Sequence, residues 1–133
     1  MTRKKYRLLA VLLQLIAQVV GGVVLFAMAP QAIFADIGSD ALAQLCLRLA
    51  VYSNAGMAIF TIFVIANTSD TRWLRALAAA GAVYNFMAGA DSIRTALGYA
   101  GVNVAEPVFG PTVMHGVLFV LLLVAAVLPE KKE

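Results

Sequence analysis

Three side chains of this 133-residue chain carry the groups from which chemistry in an apolar medium is usually built: Arg48, Asp91 and His115. Arginine binds an anion or a carbonyl, aspartate orients the arginine or holds a proton, and a neutral imidazole gives or takes one hydrogen bond. Each lies in a stretch that otherwise reads as apolar helix. Asp91 belongs to "GADSIRTALG", Gly89 to Gly98, which also holds Arg94. Counted at the helical rise, Arg48 and Asp91 sit about 10 Å from one common set of helix ends, and His115 about 9 Å. The expectation is a polar pocket between helices with these three residues lining it, because ionisable groups inside a span are costly unless they face a bundle interior. The alternative is that Arg48 and Asp91 pair and only hold two helices in register. Arg94 lies nearer the outer surface, where it can snorkel. Asp91 and Arg94, three apart, are also neighbours that can pair locally.

A second polar level is expected deeper. Asn54 and Asn85 fall roughly 20 Å from the same ends, and Gln14 and Gln18 bracket that depth. The two glutamines are four apart, hence on one face. Amides at such positions are expected to bond between helices. Gly81, Asn85 and Gly89 recur every four residues, a small stripe along which another helix can approach closely.

The elements that must position these groups are apolar runs at Leu8–Ala29, Ala41–Ala66, Trp73–Leu97 and Phe109–Leu128. Each has about the 20 residues that cross a hydrocarbon core, and only a helix satisfies its own backbone there. The breaks between runs carry the expected chemistry. Pro30 ends the first run, Asp40 caps the second, and Asn67, Ser69 and Asp70 provide turn and cap side chains before the third. Gly98 ends the third, Pro111 suits the first turn of the fourth, and Pro129 closes it. Ile33, Phe34 and Ile37 in the first connection suit a membrane surface. Trp73, Tyr6 and Tyr99 near helix ends fit an aromatic belt. The fold expected is all-α, an integral membrane four-helix up-and-down bundle forming one domain over residues 1–133.

Composition agrees. Hydrophobic residues make up 62% and charged residues 13%, with a mean hydropathy of +0.90. A soluble body of this size has too much surface to hide that much apolar area. The net charge of +3 is no nucleic-acid signal, because the basic residues lie at the ends of apolar runs. Arg3, Lys4, Lys5 and Arg7 precede the first helix, Arg72 and Arg75 lie between the second and third, and Lys131 and Lys132 follow the fourth. An alternating weave puts all of them on one side, opposite loops bearing Asp36, Asp40 and Glu106. The positive-inside rule then predicts a multi-pass inner-membrane protein with both termini cytoplasmic. The first run is too long for a usual signal-peptide core and reads as an uncleaved helix. The lone Cys46 makes no intrachain disulfide and reads as a small buried hydrophobe.

No phosphate-binding loop, dinucleotide fingerprint, zinc-protease motif or nucleophile elbow occurs. One histidine and one cysteine make a full metal site an unlikely expectation, so no catalytic or metal residue is assigned and no cofactor is named. Four stretches carry a family resemblance: "MAP" closing the first helix, the arginine of "LCLRLAVYSNAG", "GADSIRTALG", and "GPTVMHG" opening the fourth helix. In their order the chain resembles the DoxX-like group of small bacterial four-helix membrane proteins. The resemblance implies the bundle, and a loose link to oxidoreductase assemblies or lipophilic ligands. It implies no catalytic residue.

Three functions follow as expectations. The first is a non-enzymatic membrane protein binding a lipid- or quinone-like amphipathic ligand in the outer-half pocket, with Arg48 on its polar group, Asp91 orienting Arg48 and His115 adding one hydrogen bond. The second is an accessory subunit of a larger membrane complex or homo-oligomer, with His115 holding a pigment or haem in the extreme case. The third is a proton-coupled transporter protomer with Asp91 as the coupling residue. The expected partners are membrane lipids and not nucleic acid, which would need a basic face.

Overall fold

The computed structural model describes residues 2–30, 41–68, 70–97 and 109–129. Helix α1 runs Arg3–Met28, α2 Ala41–Asn67, α3 Thr71–Ala96 and α4 Phe109–Val127. No strand occurs among the described residues. These ranges lie close to the apolar runs. The largest difference is at the start of α1, where the helix reaches back through the basic residues. Thr2 explains it, because its hydroxyl accepts from the Lys5 amide at 3.3 Å and so caps one orphan donor. Asp70 does the same for α3 through the Arg72 amide at 2.8 Å. Asp36, Asp40, Ser69, Tyr99, Glu106, Lys131, Lys132 and the apolar first connection lie outside the described residues.

Cross-helix bonds fix the directions. Tyr6 at the start of α1 donates to the Leu121 carbonyl near the end of α4 at 3.1 Å. Gln14 of α1 meets Asn85 of α3, and Asn85 meets His115 of α4. Helices α1 and α3 therefore run parallel, and α4 runs against both. Their shared core is Ala10 and Val11 of α1, Ala78 and Ala82 of α3, and Leu118, Leu122, Ala125 and Ala126 of α4. Alanine dominates because small side chains let backbones approach closely. Helix α2 stands mainly against the upper part of α1, burying Asn54, Ala58, Thr61 and Val64 at helical spacing.

That upper part of α1 is a wide π-helical stretch, Gln18–Leu25. It contains the glycine pair Gly21 and Gly22, whose missing Cβ atoms weaken the regular helix. At Gly22 the missing Cβ is a steric requirement: a Cβ there would stand 2.6 Å from Asn54 Cγ. Asn54 is tied down by its own bond to the Ala50 carbonyl at 2.8 Å. A Cβ on Gly21 meets nothing within 4 Å. Gly22→Ala should therefore cost about 1–3 kcal/mol, the usual penalty of overpacking, and Gly21→Ala should cost nothing measurable. Thermal unfolding of the two variants in detergent checks this. Adding Asn54→Ala to Gly22→Ala should restore most of the loss.

The polarity of the bundle is inverted relative to a soluble protein. Its interior holds alanines together with Arg7, Asn54, Thr61 and Asn85. Its outside holds Ile16, Val20, Leu49, Ile59, Phe63, Val83, Phe86, Met87, Val117 and Val120, all more than half exposed. Three helices, α1, α2 and the Gly110–Val127 part of α4, are long and apolar enough to cross a membrane. Helix α3 has the length but falls short of that apolarity, since it is rich in alanine and glycine and carries Arg72, Arg75, Asp91 and Arg94. Cys46 is exposed, not buried as its residue type suggests, because it lies on the outer face of α2.

Candidate functional site

One polar centre of the interior forms around Asn85, which is 1% exposed. Its side-chain nitrogen donates to Gln14 Oε1 at 2.5 Å and to the Gly81 carbonyl at 2.7 Å. Its oxygen lies 2.8 Å from His115 Nδ1. One amide thus joins α1, α3 and α4. The small stripe makes this approach available: a Cβ on Gly81 would touch Leu122 and Gln14, and a Cβ on Gly89 would stand 3.5 Å from His115 Cβ. His115 is half-buried, with the Tyr84 ring edge-on to it, centroids 6.2 Å apart at 73°. A line of polar groups therefore runs Gln14, Asn85, His115, with Tyr84 beside it.

The structure does not assemble the three residues that the sequence set at one level. Asp91 is exposed and pairs with Arg94 at 3.8 Å, so it is not the buried member of its block. Arg48 is exposed on α2 and is not joined to Asp91. It lies six residues outward of Asn54, about 9 Å of helix. His115 instead belongs with the amides. Depth counted from helix ends treats all ends as coplanar. For α3 and α4 that holds closely, since Gly81 faces Leu122 and Gly89 faces His115, and His115 reaches one turn along α3 to Asn85. For α2 it fails: Asn54 abuts Gly22 while Asn85 meets Gln14, eight residues apart on α1, so Asn54 and Arg48 stand at other levels than the sequence set them. Gln18 is half-buried at the start of the π-helical stretch, its backbone amide bonded to the Gln14 and Leu15 carbonyls.

No protein-family model, no curated protein and no solved structure matches the chain. The site is therefore read from its own chemistry. Among the described residues no group of three His, Cys, Asp or Glu side chains could hold a metal ion.

Sequence reasoning missed a second polar centre, at the other end of the bundle. Arg7 is 1% exposed and donates through Nε to the Ala125 carbonyl at 2.9 Å and through Nη2 to the Leu128 carbonyl. Arg75 Nε donates to the Ala126 carbonyl at 2.7 Å, and Arg3 Nη1 to the Pro129 carbonyl at 2.8 Å. Three arginines from two helices thus satisfy the orphan carbonyls that end α4, at the negative end of its dipole. The signal was present: Arg3, Arg7, Ala10 and Gln14 share one face at helical spacing. Tyr6 belongs to this centre as well, half-buried with its hydroxyl on Leu121.

Proposed function

We propose that the chain is a non-enzymatic four-helix protein of the bacterial inner membrane that binds a lipid- or quinone-like amphipathic ligand, with the polar end of that ligand at His115. The observation that carries this is the half-buried imidazole. It is held by a fully buried amide, with the edge of Tyr84 beside it and apolar helix faces around it. A few convergent polar groups within apolar walls are what orient a small amphiphile. Large apolar side chains on the outside and amides inside favour a bilayer as the surrounding medium.

Arg48 and the Asp91–Arg94 pair keep a role in this reading at the rim, as charges within reach of a lipid headgroup. This reading has both termini in the cytoplasm; the basic residues at that end support it, and three arginines there cap α4. The DoxX-like resemblance of the sequence is in line with the bundle. Membrane lipids are the surrounding partners, and the apolar exterior leaves room for a larger complex or a homo-oligomer.

Native mass spectrometry of the protein released from membranes tests the ligand. One small amphipathic molecule per chain is expected, and His115→Phe should lose it while remaining folded. A chain without any bound molecule, or equal retention by the variant, contradicts the proposal.

A further inference from the structure

The hydrogen bonds around Asn85 decide which half of the His115 ring a ligand meets. The Gly81 carbonyl can only accept, so the Asn85 group 2.7 Å from it is the NH2 end. The Asn85 oxygen is then the atom facing His115 Nδ1 at 2.8 Å. An amide oxygen can only accept, so Nδ1 carries the proton. This assignment rests on a backbone group and does not depend on which way Gln14 is turned. In a neutral imidazole with its proton on Nδ1, Nε2 is a bare acceptor.

We infer, resting on the ligand reading above, that His115 Nε2 selects the head group of the amphiphile by polarity: it takes a hydroxyl, and rejects the matching ether or carbonyl. A carbonyl or ether oxygen would set lone pair against lone pair at Nε2. A hydroxyl donates to it. The class therefore comprises phenolic heads, including the reduced, dihydroxy form of a quinone, and long-chain alcohols. Oxidised quinones fall outside it. Tyr84 stands edge-on beside the ring, a wall that suits a flat aromatic head. Gly89 lets α4 approach α3 closely at His115, which holds the ring in place beside Tyr84.

The chain contains a single histidine, so isotope-labelled histidine gives one imidazole signal set. The experiment records it by nitrogen NMR in nanodiscs, with para-dodecylphenol, para-dodecylanisole or dodecanol added. The expected result is a pyrrole-type Nδ1 and a pyridine-type Nε2 without ligand. On addition of the phenol, the Nε2 resonance should move toward the hydrogen-bonded position. The anisole should bind about tenfold more weakly, the value of one hydrogen bond of ordinary strength. Dodecanol separates the two sources of hydroxyl: binding weaker than the phenol assigns an aromatic head, and equal binding an aliphatic one. A proton on Nε2, or an imidazolium, overturns the inference. Equal binding of phenol and anisole overturns it while leaving the ligand reading intact. Binding of none of the three, with the expected tautomer in place, overturns the ligand reading itself.

Discussion

Arg7→Met should destabilise the bundle by about 3 kcal/mol, the sum of two charge-assisted hydrogen bonds at about 1.5 kcal/mol each. Methionine keeps the apolar stem that packs in the interior and removes only the guanidinium. The Ala125 and Leu128 carbonyls then lose their donor at the end of α4. Burial at Ala125 is what makes the loss large: Ala125 is fully buried and Arg7 nearly so, so water cannot replace that donor without opening the core, while the partly buried Leu128 carbonyl loses less. Arg7→Lys should recover less than half. An ammonium keeps the charge opposite the helix dipole but lacks the planar fork that reaches two carbonyls at once. Arg3→Met is the control. Its guanidinium bonds the Pro129 carbonyl from an exposed position, and its loss should cost under about 0.5 kcal/mol. Reversible unfolding in mixed micelles measures all three.

Asn85→Leu is expected to act on both stability and binding. Leucine has the same branched shape and number of heavy atoms and is somewhat larger, so no cavity confuses the outcome. Two interhelical bonds disappear, those to Gln14 and His115. At about 0.6–1.7 kcal/mol for each such bond in a membrane bundle, the loss should be roughly 1–3 kcal/mol. Gln14 is then left with an unpaired amide beside the core. Adding Gln14→Leu removes that orphan and should recover part of the stability, since replacing both partners costs far less than removing one. Binding should not recover. Without the Asn85 oxygen nothing holds the proton on Nδ1, so the ring samples both tautomers and the ligand loses a fixed acceptor. The readouts are the double-mutant cycle for stability and native mass spectrometry for the ligand. Restored stability with ligand still absent is the expected pair of results.

The helices were legible because their signals are local. Asp70 is a cap, Pro30 and Pro129 are stops, and each apolar run is long enough to cross a hydrocarbon core; the cap at Thr2 was missed, which is why α1 starts earlier than its apolar run. The amides at Gln14 and Asn85 were legible too, since both are polar residues at depths where an unpaired amide is expensive. The grouping of the charges was not. Whether Asp91 faces Arg48 or Arg94 depends on the rotation of α3 and on how the helix ends are staggered, and neither is written in spacing along one chain. The meeting of His115 with Asn85 was hidden by rotation alone, since it depends on which faces of α3 and α4 turn toward each other. Arg7 was hidden for a different reason. Basic residues at the start of an apolar run all report the topology signal, and only the face shared with Ala10 and Gln14 separates the one that turns inward. The contact of Gly22 with Asn54 was not legible either, because it needs the position of α2, which rests on an irregular part of α1.

The account depends most on α3. That helix supplies Asn85, the hub of the polar centre, yet it is the one helix less apolar than a typical span. Spin labels at Val83, Phe86 and Met87, each about 60% exposed on its outer face, test directly whether it lies in the bilayer. The measurement is electron-paramagnetic-resonance accessibility in liposomes, comparing collision with oxygen, which partitions into lipid, and with a water-soluble nickel complex. If α3 crosses the membrane within a four-helix bundle, all three labels collide with oxygen and are shielded from nickel, while a label at Arg72 shows the reverse. Nickel accessibility at Val83, Phe86 and Met87 equal to that at Arg72 would place α3 in water and contradict a membrane-buried site at His115.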